Sequence, residues 1–351
     1  MAVILALFFA YAALLSTYSI TAGKPPHSSW RLVWLLLAIV IFLLSATRIG
    51  GSDWDNYESL YQYMSHADGW LDAILKNPFF EPGYVALNYA FHTYSEDRRL
   101  LVVFESAINA YAIWAILTRV RSGPILLIWL FPLQFANILG VRQTLATSLF
   151  IIATTLLHGR TSKIAALASS LIHVSSLVLV FGKAIQGLKI TLKNASIVLV
   201  PTLTFAYVAS SFLADKLANY QENASELTSV SGTEIFIGKG LTVLLLFAID
   251  FFARRQPLDR AAMLARTQTP NTLYFFYLVI IVASAALPPL ARLLTPLELL
   301  IAWAACEAIY DVRNRRTRLA FTLLITVVAV FKMLKIASQF GDVYSVCFFC
   351  A

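Results

Sequence analysis

Apolar stretches long enough to cross a bilayer recur along this chain at 2–20, 32–47, 100–118, 124–139, 143–158, 195–214, 235–252, 272–289, 294–310 and 319–337. A hydrocarbon core about 30 Å thick takes roughly 20 apolar residues per helix, so these runs read as spans. Charged residues make up only 13% of the chain, about half of the 25% typical of soluble proteins. That is too few to cover a water-exposed surface. An ordinary soluble enzyme, a disordered chain and a nucleic-acid-binding domain are excluded, despite a net charge of +8. The expected fold is an all-α polytopic membrane protein: one integral membrane domain over 1–351, with 10 to 12 transmembrane helices. Its three cysteines, Cys306, Cys347 and Cys350, are too few for a disulfide framework or a four-ligand zinc site.

Orientation follows from the basic residues, which gather in cytoplasmic loops. No Lys or Arg precedes the first run, while Lys24 and Arg31 follow it. It therefore reads as a span with its N-terminus outside, not as a signal peptide. Lys183, Lys189 and Lys193, then Arg254, Arg255, Arg260 and Arg266, then Arg313, Arg315, Arg316 and Arg318 fall inside. Loops 48–81, 215–234 and 290–293 fall outside. Two weaker apolar segments, 82–95 and 164–182, either span or dip into the membrane. If both span, the count is 12; if neither does, it is 10.

Segment 48–99 is chemically distinct, holding eight of the 19 carboxylates. Trp54, Tyr57, Tyr61 and Met64 recur at helical spacing, which predicts an amphipathic helix over 53–64, begun by a Ser52/Asp55 capping box. Its aromatic face is expected in the headgroup region. A second short helix is expected from Asp68-Gly69-Trp70 to Asn77-Pro78. Such a segment is either an anchored acidic loop or a sugar platform, in which aromatic faces pack on sugar rings and carboxylates bond hydroxyls or take a proton. Asp53-Trp54-Asp55 has the look of a metal-binding D-x-D. On a helix, however, residues two apart diverge by about 200°, so no metal site is assigned.

Arg48, Arg142 and Arg292 lie at the outer interface of the ten-span map. Each either snorkels to lipid phosphate or joins the others to bind a pyrophosphate, to which a guanidinium bonds bidentately. His173, inside an apolar segment, is a helix-packing residue, a base or an orienting donor. Asp250, Glu298 and Glu307 are expected to pack against donors. Cys347-Phe348-Phe349-Cys350 lies in an apolar tail and carries no redox assignment, and the sequons at Asn194 and Asn223 carry little weight.

Arg48-Ile49-Gly50-Gly51-Ser52-Asp53-Trp54-Asp55-Asn56-Tyr57 resembles the R-x-G-x-D-x-x-x-Y start of the EpsG family of Wzy-like polysaccharide polymerases. Glu81-Pro82-Gly83-Tyr84-Val85-Ala86-Leu87-Asn88 is similar to that family's E-P-G-[FY]-x-x-L-N segment. Gly140-Val141-Arg142-Gln143-Thr144-Leu145-Ala146 resembles its R-Q-x-[IL]-A helix start. Leu171-Ile172-His173-Val174-Ser175-Ser176 resembles its H-x-S-A signature, with Ser176 in place of Ala. Arg292 falls where such proteins tend to have a late arginine.

The resemblance implies a membrane-embedded, polyprenyl-dependent glycosyltransferase of GT-C-like architecture, without a cofactor, in the bacterial inner membrane. It would join undecaprenyl-pyrophosphate-linked oligosaccharide repeat units on the periplasmic face, with a flippase and a chain-length regulator as implied partners and no nucleic acid. The catalytic candidates are Asp53, Glu81 and His173. The substrate-binding candidates are Arg48, Tyr57, Arg142, Gln143 and Arg292. The reaction needs Arg142 on the side of the 48–81 loop, which favours ten spans. The rival readings are a lipid-linked glycan transporter or flippase, and an O-antigen ligase.

Overall fold

Eight of the ten apolar runs correspond to described helices, whose ends fall within a few residues of the sequence expectation. The computed structural model describes residues 10–12, 14–15, 28–49, 54–139, 141–186, 191, 193, 196, 200, 232–256, 271–286, 291–340 and 345–346. At 28–29, 48–49, 132–139, 232–236, 285–286, 291–292, 335–340 and 345–346 it describes the backbone alone. The expected spans 2–20 and 195–214 lie largely outside the described residues. Two compact units emerge, 1–180 with 314–351 and 181–313.

In the first unit, helix α1 (Ser28–Ala46) is followed by β1 (Arg48–Ile49), α2 (Trp54–Tyr63), α3 (Trp70–Lys76), α4 (Pro82–His92), α5 (Arg99–Arg119), α6 (Gly123–Leu139), α7 (Val141–Leu156) and α8 (Gly159–Ala168). A 3₁₀ turn at Ser169–Leu171 then leads into α9 (Ser176–Ile185), whose last turn belongs to the second unit. The second unit contains α10 (Gly232–Arg254), α11 (Asn271–Ala286) and α12 (Ala291–Tyr310). Helix α13 (Arg315–Phe340) and β2 (Ser345–Val346) return to the first. The strand pair is antiparallel, with Arg48 opposite Val346.

Arg99–Arg119, Leu293–Tyr310 and Arg315–Leu334 are long and apolar enough to cross a membrane; Trp30–Ala46, Val141–Leu156, Ser176–Ile185 and Asn271–Ser284 are shorter apolar helices. The chain is an all-α polytopic membrane protein. Its helices wear apolar side chains outward. On α1, Leu32, Leu35, Leu36, Ile39 and Leu43 form an exposed stripe, while Trp34, Ala38, Ile41 and Leu44 are buried on the opposite side. On α13, Leu324, Val327, Phe331 and Leu334 are exposed and Thr322, Ile325, Ala329 and Met333 are buried. Two apolar faces on one helix suit a lipid solvent and not water.

Both weak segments turn out short. Helix α4 has 11 residues, about 16 Å of rise, half of what a bilayer core needs. Segment 164–182 is broken into α8, the 3₁₀ turn and the start of α9. Neither forms a single helix that spans.

Inside the first unit, α5 packs against α1, α6 and α7, and α6 packs against α13. Helix α4 is held by α2, α3, α5 and the 169–171 turn. In the second unit α10, α11 and α12 pack on one another, and their intramembrane charges are paired. Lys239 Nζ lies 3.0 Å from Glu298 Oε2 and Arg254 Nε 2.8 Å from Asp250 Oδ1, while Trp303 Nε1 donates to Glu307 Oε1 at 2.9 Å. Pairing is what makes ionisable groups tolerable in lipid, and it meets the expectation for these three carboxylates.

One close approach positions the functional residues. A Cβ at Gly83 would lie 2.7 Å from the carbonyl oxygen of Leu171 and 2.8 Å from its Cβ, so only glycine lets α4 start against that turn. Gly83→Ala forces the two backbones apart and should lower stability by about 1–3 kcal/mol, the usual cost of overpacking, read as a fall in melting temperature of the purified protein.

Candidate functional site

Glu81 stands in extended conformation (φ −67°, ψ 139°) just before α4, with Pro82 at the first helical position. Proline there supplies a fixed φ and lacks only an amide that the helix would leave unbonded, so the start of α4, and with it Glu81, is sharply defined. Arg142 belongs to the first turn of α7. His173 sits in the turn between the 3₁₀ segment and α9. That turn is pinned by His173 N donating to Ser169 O (3.2 Å), by Ser176 Oγ donating to His173 O (2.9 Å), and by Ser169 Oγ donating to Ser176 Oγ (3.1 Å). Ser176, where the family motif has Ala, thus braces the backbone of His173.

These three residues meet at one carboxylate. Arg142 Nη1 donates to Glu81 Oε2 at 2.5 Å, and His173 Nδ1 lies 2.5 Å from Glu81 Oε1, which also accepts from Val174 N at 3.3 Å. Arg142 Nε donates to the Tyr57 hydroxyl at 3.4 Å. The guanidinium carbon lies 4.8 Å from the Phe80 ring centroid, 5.5 Å from Tyr57 and 6.0 Å from Tyr84, so cation–π attraction adds to the charge pair. Nη2 makes no hydrogen bond among the described residues, and the Arg142 side chain keeps 19% exposure.

Burial works against ionisation of Glu81, but the hydrogen bond to His173 and the charge of Arg142 outweigh it and hold the carboxyl at about 2, against an ordinary 4.5. Glu81 is therefore a carboxylate at neutral pH and a poor proton acceptor. With a carboxylate accepting at Nδ1, neutral His173 carries its proton there and has its lone pair on Nε2. Nε2 has no partner among the described residues.

The site thus unites Glu81, His173, Arg142 and Tyr57. Gln143 is next in the chain, and its buried Nε2 has no hydrogen bond among the described residues. Asp53 lies outside the described residues, as does Ser52 of the expected capping box. Arg48 and Arg292 are described as backbone only, the first in β1 and the second in α12 of the other unit, so a convergence of three arginines lies outside the described side chains too. Among the described residues no group of three His, Cys, Asp or Glu could hold a metal ion.

One expectation is overturned. Helix 53–64 forms as α2, but its face of Tyr57, Leu60, Tyr61 and Met64 is buried in protein. It packs with Ala73, Tyr84, Val85, Val141 and Leu145 instead of lying in headgroups. The spacing was right and the partner was wrong, since periodicity identifies an apolar face but not what covers it.

Three buried groups escaped the sequence reading. Arg98, 2% exposed, stacks on Trp54 at 4.7 Å and Tyr57 at 5.4 Å, with Glu58 Oε2 at 3.9 Å. Tyr57 thereby touches two guanidinium groups. Glu105 and Asn109 of α5, with Ser45, Ser106 and Thr144, line a small cavity of about 20 Å³ directly behind Val141.

The family model that matches this chain is described as the EpsG family, over residues 31–347. The chain belongs to the EpsG family. The match takes in all eight candidate site residues, and at family level it makes this EpsG-family protein a Wzy-like polysaccharide polymerase of the membrane. No curated protein and no solved structure matches.

Glu81 gives the site a pH signature. A carboxyl depressed from 4.5 to about 2 on folding contributes stability that is complete above pH 4.5 and fades as pH falls toward 2. Glu81→Gln should therefore melt well below the wild type at pH 7, and the gap should close as unfolding is followed down to pH 2.5.

Proposed function

We propose that this EpsG-family protein joins undecaprenyl-pyrophosphate-linked oligosaccharide repeat units into a polysaccharide on the periplasmic face of the inner membrane. The observation that carries the reading is the single carboxylate shared by Arg142 and His173. It sets a cation for a leaving group and a base for an acceptor side by side.

The growing chain on its lipid pyrophosphate is the donor, and a hydroxyl of the new lipid-linked unit attacks the anomeric carbon. A glycosidic C–O bond forms as the C–O bond to the pyrophosphate breaks. The leaving group is already a stable anion, so what it needs is charge stabilisation. Arg142 provides it through Nη2, held in aim by Glu81, Tyr57 and Phe80. The hydroxyl's proton passes to His173 Nε2. Glu81 acts as the orienting group and stabilises the imidazolium, the role of the carboxylate in a Ser-His-Asp triad. Between His173 and Glu81 as the base, the site favours His173, because the lowered pKa of Glu81 makes its carboxylate a poor proton acceptor. Because Glu81, Arg142 and His173 are in contact, they share one side of the membrane, which supports the ten-span map.

The test is product formation. Wild-type protein in nanodiscs, given only lipid-linked repeat units, should make a ladder of longer glycans; a transporter makes no new glycosidic bond, and a ligase needs a second lipid acceptor. His173→Gln should lower kcat by about 10²–10⁴, the usual worth of a general base. Arg142→Ala should abolish the ladder, and unchanged polymer length and amount in that variant would overturn the assignment.

A further inference from the structure

Arg98 holds a full charge where the fold would be served by an apolar side chain. It is the residue just before α5, and its side chain is 2% exposed, although Asp97 and Arg99 on either side are exposed. Nε, Nη1 and Nη2 are all buried and make no hydrogen bond among the described residues. Glu58 Oε2, on a side chain 40% exposed, stays 3.9 Å away. What the guanidinium does touch is aromatic, Trp54 at 4.7 Å and Tyr57 at 5.4 Å from the ring centroids. Burying an ion is costly, and well-packed apolar side chains of similar volume often replace a buried charge with no loss of stability. Nor is Arg98 needed to dock α2 on this turn. Tyr61 does so, its hydroxyl donating to Ser95 O at 2.7 Å and its ring lying 5.2 Å from that of His92.

The ring that Arg98 braces is the one that Arg142 uses. Tyr57 is 3% exposed. The Arg142 guanidinium lies 5.5 Å from its centroid, and the Tyr57 hydroxyl accepts from Arg142 Nε at 3.4 Å. Tyr84 meets the same ring edge-on at 5.7 Å. A guanidinium beside an aromatic face is attracted by the ring quadrupole, the more so away from water. Two cations thus share one ring, and moving either disturbs the contact of the other. We infer that Arg98 is a positioning residue for Arg142: it fixes the Tyr57 ring and, through the Tyr57 hydroxyl, the angle at which Arg142 presents Nη2. Glu81 holds Nη1 and Tyr57 holds Nε, so with Glu81 alone the guanidinium plane could swing about the Nη1 bond. Arg98 removes that freedom without touching substrate. The inference rests on the polymerase reading for the reaction it serves, and on geometry alone for the coupling.

Full-length protein carrying isotope-labelled arginine, in nanodiscs, gives a magnetic resonance signal for the Arg142 Nε–H, assigned by its loss in Arg142→Lys. Arg98→Met keeps an unbranched side chain and removes the cation. It should shift that signal well beyond its linewidth in the otherwise native chain, but not beside Tyr57→Phe, where the hydroxyl that carries the coupling is gone. An unmoved signal, or the same shift in both backgrounds, overturns the inference. The kinetics of ladder formation give a second readout. Arg98→Met should lower kcat about tenfold, less than the ~10²-fold that a 1 Å misplacement can cost, and leave KM in place because Glu81 still holds Arg142. Added to Tyr57→Phe, it should cause no further loss; losses that multiply overturn the inference. Arg98→Lys returns a cation to the rings and should restore most of kcat. Equal losses in both Arg98 variants, in step with a lower melting temperature, mean packing alone and also overturn it. Should Arg98→Met not fold, Arg98→Gln removes the same charge and completes the same comparisons. If the wild type forms no glycan ladder while the signal still responds to Arg98 only through the Tyr57 hydroxyl, the polymerase reading fails and the positioning stands. A full ladder beside an unmoved signal means the reverse.

Discussion

One carboxylate ties the first unit together. Glu81 is 61 residues from Arg142 and 92 from His173, yet it hydrogen-bonds to both, and so fixes the start of α4 against the first turn of α7 and the turn before α9. None of these groups is comfortable alone. Arg142 is mostly buried, and a guanidinium stripped of water and of its partner is costly to the fold. Glu81 is held ionised only because both neighbours favour its charge. The pairing therefore enforces the packing of three short, irregular segments that apolar burial alone would leave free to slide.

Much of this architecture was legible in the residues, for a physical reason. A span must be apolar over most of its length, and that demand leaves long runs whose ends polar residues mark. Eight of the ten expected runs correspond to described helices, with displacements of a few residues at their ends. The site was legible as separate interruptions: Glu81 beside a proline, Arg142 between two runs, His173 among serines. That they touch was not legible, because nothing local encodes a contact across 61 or 92 residues. Arg98 was hidden for the opposite reason. It sits in Glu96-Asp97-Arg98-Arg99, which reads as a solvated loop, and only the fold buries the third residue under Trp54 and Tyr57. Glu105 was passed over inside a run that hydropathy alone labels as a span.

The two units treat intramembrane charge differently. In 181–313 the ion pairs Lys239–Glu298 and Arg254–Asp250 are local arrangements between or within helices, the kind that satisfies charge in lipid and leaves little chemistry over. In the first unit the Glu81 carboxylate is shared by Arg142 and His173, whose Nη2 and Nε2 make no hydrogen bond among the described residues.

The way Arg142 is clamped has a bearing on selectivity. A guanidinium already matched to a carboxylate shows the surroundings little net charge, so the empty site is close to electroneutral. It has small appeal for free phosphate or for phospholipid headgroups, which are abundant and would clog a bare arginine. Any anion that stays must draw added hold from elsewhere on its own body; under the proposed function, a modest electrostatic grip would let the spent carrier leave.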